Sequence, residues 1–314
     1  SVVFFGDSVI GNYTGSFSIP GVVNGFSGAH VYNCAQGGAT ASKDPATDDP
    51  AAAMSFVIAV DTFLKQDPTV LREDTVYRTS LEAYLNDDHR GRRLCFVINY
   101  GLNDYFSGYA VDDPEDPYDT VTYCGALRTG IRSLQEAYPD ALILLAAPNY
   151  ITFFENGTEL HGEAGSTLTA YVQGAADVAD QMGVPFYDTY HRLGVTADNA
   201  ADYLADAVHL NEEGRFLFGT DRNTGSFSLI TYSVLSILVY REQEILSHPV
   251  DHFIGELQIL QFVLVEYHQA IPNELRQFRS GFLRINVVIT LCVVLALIVS
   301  GIYFAGILGQ DLRS

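Results

Sequence analysis

VVFFGDSVI (residues 2–10) begins with four apolar residues, Val2 to Phe5, that run directly into Gly6-Asp7-Ser8. A short apolar run bounded by turn residues reads as a strand buried on both faces. Gly, Asp and Ser are turn formers, so a serine at the strand's end has two readings. It closes an ordinary turn, or it is a nucleophile held at the carboxyl end of the strand. The triplet does not choose between them. A base, an orienting acid and donors for a developing oxyanion must come from elsewhere in the chain.

Runs of the same kind recur. AHVYN (29–33), LCFVIN (94–99), ALILLAAP (141–148) and VPFYD (184–188) are each short, apolar and bounded by Gly, Pro or polar residues. Helical stretches lie between them at 51–65, 117–137 and 166–182. In the second, Asp116 offers a cap, Pro117 fits a first turn, and Val121, Cys124, Leu127, Ile131 and Leu134 form one stripe. Strand–helix alternation predicts a three-layer α/β/α sandwich around a parallel five-stranded sheet with right-handed crossovers. Sites in such folds lie beyond the carboxyl ends of the strands. DDPEDP (112–117) reads as a solvated loop.

The chain has 314 residues, enough for one large domain or two smaller ones, and a formal charge of -21. That charge argues against nucleic acid as a partner, and against anionic lipids or polyanions as substrates. Residues 1–219 hold 30 acids and 11 bases, residues 220–314 only 8 and 6, so the two regions differ in surroundings. Cys34, Cys95, Cys124 and Cys292 show no metal spacing and read as buried free thiols. In HPVDH (248–252), Pro249 spoils a helical histidine pair and no third ligand is apparent, so no metal is expected. The chain starts inside a strand, which suggests an upstream segment removed or not included.

Partners for Ser8 are present. ADAVHLNEEG (205–214) carries Asp206 and His209, three apart. Asp206 can accept the imidazole Nδ1–H and fix the tautomer, leaving Nε2 to take the Ser8 proton. A single Asp-x-x-His pair is usually a surface feature. Two strand-end stretches supply donors: NCAQGGAT (33–40), whose glycines let a backbone N–H approach a ligand, and NYGLND (99–104), which presents the Asn103 amide. Tyr105, Phe106, Tyr109, Tyr150, Phe153 and Phe154 follow strands three and four, as lining of an acyl pocket or as cover for the sheet.

These stretches resemble the four blocks of the SGNH hydrolases, the GDSL esterases and lipases. GDS (6–8) looks like the first block, N-x-x-x-x-G-x-T (33–40) the second, G-x-N-D (101–104) the third and D-x-x-H (206–209) the last, in family order over about residues 1–218. The resemblance implies a flavodoxin-like SGNH fold with Ser8 as nucleophile, His209 as general base and acid, and Asp206 as the orienting acid. It implies an oxyanion hole made by the N–H groups of Ser8 and Gly38 and the side chain of Asn103. Gly37 competes with Gly38, but Gly38 lies five residues past Asn33, as in the family block. GDSV stands where GDSL is usual. No cofactor or metal is implied. The substrates implied are esters of lipids, carbohydrates or small molecules, with hydrolysis or acyl transfer as outcome.

The tail carries a different signal. Residues 220–284 read as a linker and amphipathic helical region, with TDRNTGS (220–226) followed by LITYSVLSILVY (229–240). Residues 285–308 contain no charge, and as a helix they would extend roughly 36 Å, enough for a bilayer core of about 30 Å. A membrane span is therefore expected at 285–308, after a hydrolase domain at 1–219. Arg276, Arg279 and Arg284 precede the run and favour a cytoplasmic location for 276–284. If 229–240 does not span, that puts the catalytic domain in the cytoplasm too. If it spans as part of a tight hairpin, the domain faces outward, and by resemblance to family members that act outside the cell the extracytoplasmic arrangement is expected. The second function class is a membrane-complex subunit whose hydrolase-like domain is a scaffold. The intact Ser, Gly, Asn, Asp and His set favours an enzyme.

Overall fold

The computed structural model describes residues 1–49, 54–152, 154–155, 158–159 and 166–220. Five parallel strands form the sheet: β1 (Val2–Gly6), β2 (Val31–Asn33), β3 (Cys95–Asn99), β4 (Leu142–Ala146) and β7 (Phe186–Tyr187), in the order β2-β1-β3-β4-β7. β1 lies between β2 and the central strand β3, pairing Phe4 with Asn33 on one side and Gly6 with Asn99 on the other. Two-residue strands β5 (Phe154–Glu155) and β6 (Thr158–Glu159) make a small antiparallel hairpin that the sequence pattern did not suggest.

The strand order reverses at β1. With right-handed crossovers, the connection from β1 to β2 lies on the face opposite the later ones. That connection contains α1 (Ser8–Gly11) and α2 (Ile19–Ser27). The later crossovers contain α3 (Phe56–Lys65), α4 (Val76–Asn86), α5 (Leu102–Ser107), α6 (Tyr123–Ala137) and α7 (Leu168–Met182). Beyond β7 come α8 (Thr189–Arg192), α9 (Ala200–Tyr203) and α10 (Glu212–Thr220), the last packed on α2. Loops leaving β1 and β3 diverge to opposite faces, and this opens a crevice at their carboxyl ends.

Phe5 anchors the core on the α3 side. Its ring meets Phe56, Phe63 and Tyr77 edge-on at 5.6–6.4 Å and stacks on Phe96 at 6.0 Å. Such pairs add directional preference to the burial of large apolar area. The helices begin at side-chain caps: Ser18, Ser55, Thr75 and Thr122 each accept an N–H of the first turn.

The helix expected over 117–137 begins six residues later, at Tyr123. Asp116 closes a local turn instead, accepting from Tyr118 N, while Thr122 caps Gly125 N. The first helical N–H groups are also taken from outside, Tyr123 N by Ala110 O and Cys124 N by Val111 O. Val121 is consequently exposed, whereas Cys124, Leu127, Ile131 and Leu134 are buried as the stripe requires. Cys34, Cys95 and Cys124 are free and buried. Cys292, the linker and the expected span at 285–308 lie outside the described residues. Among the described residues, no helix is long and apolar enough to cross a membrane.

Candidate active site

β1 delivers Ser8 to the crevice. Gly6 is held between strands, where a methyl group on it would stand 2.9 Å from Asn99 O. Asp7 then ends the strand and caps α1, its Oδ1 accepting Val9 N at 2.9 Å. Ser8 is thus the first residue of a short helical turn, and no acceptor takes its backbone N–H among the described residues. Asp7 is 1% exposed, and burial pushes its carboxyl up to about 7. The Val9 N–H opposes that rise and the Asp104 charge adds to it.

The last described loop carries His209. Leu204 and Leu210 pair antiparallel, Ala205 N bonds His209 O at 2.8 Å, and Asn211 N bonds Tyr203 O at 2.9 Å. Inside this narrow loop, Asp206 Oδ1 accepts the N–H groups of Val208 and His209, both at 2.7 Å. Its Oδ2 lies 2.8 Å from His209 Nδ1. Burial works to raise the Asp206 pKa, but the His209 N–H and imidazole and the Val208 N–H outweigh it and hold the group below its usual range. An ionised Asp206 only accepts, so Nδ1 carries the proton and Nε2 presents a lone pair. Nε2 stands 2.9 Å from Ser8 Oγ, across 201 positions of sequence.

A second Asp-x-x-His pair makes the same local bonds. His191 N lies 3.1 Å from Asp188 Oδ1 and His191 Nδ1 2.8 Å from Oδ2. Among the described residues no serine meets its imidazole, and the ring is exposed. The local motif therefore forms without a nucleophile, and only the fold distinguishes His209 from His191.

Gly38 and Asn103 sit together. Residues 36–39 form a turn closed by Ala39 N to Gln36 O at 3.2 Å, with Gly38 at φ 78° as its third residue. The Gly38 N–H has no acceptor among the described residues. Asn103 Nδ2 donates to Ala39 O at 2.9 Å, which leaves its second N–H for another acceptor. Gly37 is hemmed in: a methyl group there would stand 2.6 Å from Asn12 Oδ1 and 3.8 Å from Ser8 Cβ.

Four further side chains assemble this crevice, and the sequence reading gave none of them a role. Asn33 accepts Ala35 N and donates to Ile10 O, tying the turn-bearing loop to α1. Asp104, fully buried, accepts Ala41 N, Ser42 N and Ser42 Oγ at 2.6–2.9 Å and so anchors the far side of that loop. Asn149 donates to Val208 O at 3.2 Å, beside the histidine. Arg215 bonds Leu210 O at 2.7 Å. Asn33 and Asp104 lie inside the quoted blocks, which was a usable signal; Asn149 and Arg215 had none. Tyr105 is buried against Phe106 and Tyr171 and is cover for the sheet, while Tyr150 is half-buried beside Tyr190.

Residues 4–215 match the GDSL-like lipase/acylhydrolase family. Among solved structures, a protein from Lactobacillus plantarum is similar at 17% identity and a TM-score of 0.51, over 69% of this chain and 91% of that one. A possible lipase from Chitinophaga pinensis aligns at 15% identity, over 71% and 95%, with a TM-score of 0.47. A carbohydrate acetylesterase from Sinorhizobium meliloti aligns at 17%, over 69% and 94%, with a TM-score of 0.43. At such identities a likeness concerns the fold alone. No curated protein matches the chain.

Proposed function

Because the chain belongs to the GDSL-like lipase/acylhydrolase family and is an ester hydrolase of the SGNH type, we propose that it acts through a Ser8–His209–Asp206 triad and an acyl-enzyme. Ser8 Oγ attacks the ester carbonyl carbon while its proton passes to His209 Nε2. Asp206, held as an acceptor, stabilises the imidazolium that forms. The carbonyl oxygen gains the electron pair and is received by the N–H groups of Ser8 and Gly38 and the free N–H of Asn103. Collapse of the tetrahedral species breaks the C–O bond, and the leaving alkoxide takes the proton from Nε2. Water, activated by the same nitrogen, then attacks the acyl carbon and releases the acid and Ser8.

The observation that carries this reading is the continuous relay of 2.9 Å from Ser8 Oγ to His209 and 2.8 Å from His209 to Asp206. The formal charge of -21 favours neutral acyl donors over anionic ones. The test is Ser8→Ala, which should lower turnover of short-chain esters by at least about 10³-fold with the fold retained. Unchanged esterase activity rejects the triad. We also propose that residues 1–219 are a hydrolase unit, that 285–308 anchors it in a bilayer, and that 229–240 crosses as the other arm of a hairpin, so that the unit faces away from the cytoplasm.

A further inference from the structure

Arg215 in α10 is 7% exposed, yet no carboxylate pairs with it among the described residues. Buried arginine is rare without a counter-ion, because an isolated buried charge is costly. Here the guanidinium is satisfied differently. Nη1 donates to Leu210 O at 2.7 Å, Nε donates to Phe17 O at 2.7 Å, and Cζ lies 3.7 Å from the centre of the Tyr13 ring. Leu210 directly follows His209. Tyr13 and Phe17 belong to the segment that leaves α1, the turn that starts at Ser8. One rigid, planar donor fork therefore joins the base-bearing loop to the nucleophile-bearing segment.

The same two segments meet in the relay through a single hydrogen bond, Ser8 Oγ to His209 Nε2. Proton transfer depends steeply on that geometry. α10 has its own anchorage on α2, where Phe216 packs on Phe26 at 5.4 Å and a methyl group on Gly219 would stand 2.5 Å from Val22. The helix therefore does not depend on Arg215 to stay in place, and the guanidinium is left with the link between the two segments. We propose that Arg215 is a positioning residue for ester hydrolysis, holding His209 in register with Ser8. This rests on the serine mechanism above.

The experiment compares wild type, Arg215→Met and Arg215→Lys, each well below its own melting temperature. It measures kcat, KM and the second-order rate at which a fluorophosphonate labels Ser8. Methionine keeps the length and apolar stem and removes the fork; lysine keeps the charge as a single point that cannot serve both carbonyls and the ring. For Arg215→Met, kcat and the labelling rate should each fall about 10-fold or more, with KM within about twofold, since a misplacement near 1 Å costs up to about 10²-fold. Arg215→Lys should lie between. A purely structural residue would lower the melting temperature and leave kcat and labelling at wild-type values; that result overturns the proposal. If Arg215→Met does not fold, Arg215→Lys decides by the same criteria. Failure of the probe to label wild type at Ser8 rejects the serine reading itself, and the clamp with it. Normal wild-type labelling with unchanged variants rejects only the clamp.

Discussion

A carboxyl group buried next to Ser8 keeps its proton far above the pH at which most carboxyls lose theirs. Asp7, at about 7 against an ordinary 3.8, is still protonated in the folded chain when it is ionised in the unfolded one, between about pH 4 and pH 7. Over that window the native state binds more protons, so stability falls as pH rises. Asp7→Asn retains an acceptor for Val9 N and cannot ionise. The melting temperature of Asp7→Asn relative to wild type should therefore rise from pH 5 to pH 8, read by thermal unfolding at each pH. A difference that is constant with pH would show that Asp7 does not titrate there. Ser8, His209, Asp206 and Asn103 could be proposed from sequence because the chemistry calls for those residue types, and Gly38 is preferred to Gly37 by resemblance to the family block. Arg215 could not, because its partners are two backbone carbonyls and a ring, from segments about 200 positions apart, and carbonyls leave no trace in composition.

Among the elements, the 36–39 turn separates two neighbouring glycines. Gly38 needs its positive φ, and a side chain there meets no atom within 4 Å, so Gly38→Ala strains only the backbone. That strain costs roughly 1–2 kcal/mol, and relief by rotating the peptide would swing the Gly38 N–H away from the proposed oxyanion position. Gly37→Ala collides with a flexible amide, Asn12 Oδ1, which can move aside. Steady-state kinetics should show the larger loss of kcat in Gly38→Ala, with KM less affected. A larger loss in Gly37→Ala would transfer the oxyanion role to that residue. The five strands of the sheet could be read because buried parallel strands are continuous apolar runs. The start of α6 could not: Asp116 and Thr122 are both good caps, and bonds from Ala110 and Val111 selected the second. α2, α4 and α10 were missed because their apolar faces are short and interrupted.

For the whole molecule, the sheet, the crevice and the relay all lie within residues 1–220. A fragment of that length should be soluble and should cleave short-chain esters at a rate close to that of the full chain. The full chain should partition with lipid vesicles while the fragment does not. An insoluble or inactive fragment would mean that 221–314 completes the fold, and a full chain that ignores vesicles would remove the anchor. Alternation and crossover handedness lead to a layered parallel sheet, whereas the strand order does not follow from them, and the flavodoxin-like topology is implied only by the resemblance. The tail's role was read from hydropathy alone.

The 201 positions between Ser8 and His209 also set a clock. At about 5–20 residues per second, Ser8 leaves the ribosome roughly 10–40 s before His209 does. On the proposed triad, Ser8 is an ordinary hydroxyl throughout synthesis, because the group that would activate it does not yet exist. Any product cut short before His209 is chemically silent, however well its sheet has formed. Esterase activity in a cell-free translation should thus appear as a step after a lag, reporting chains that have been finished and closed rather than chains begun.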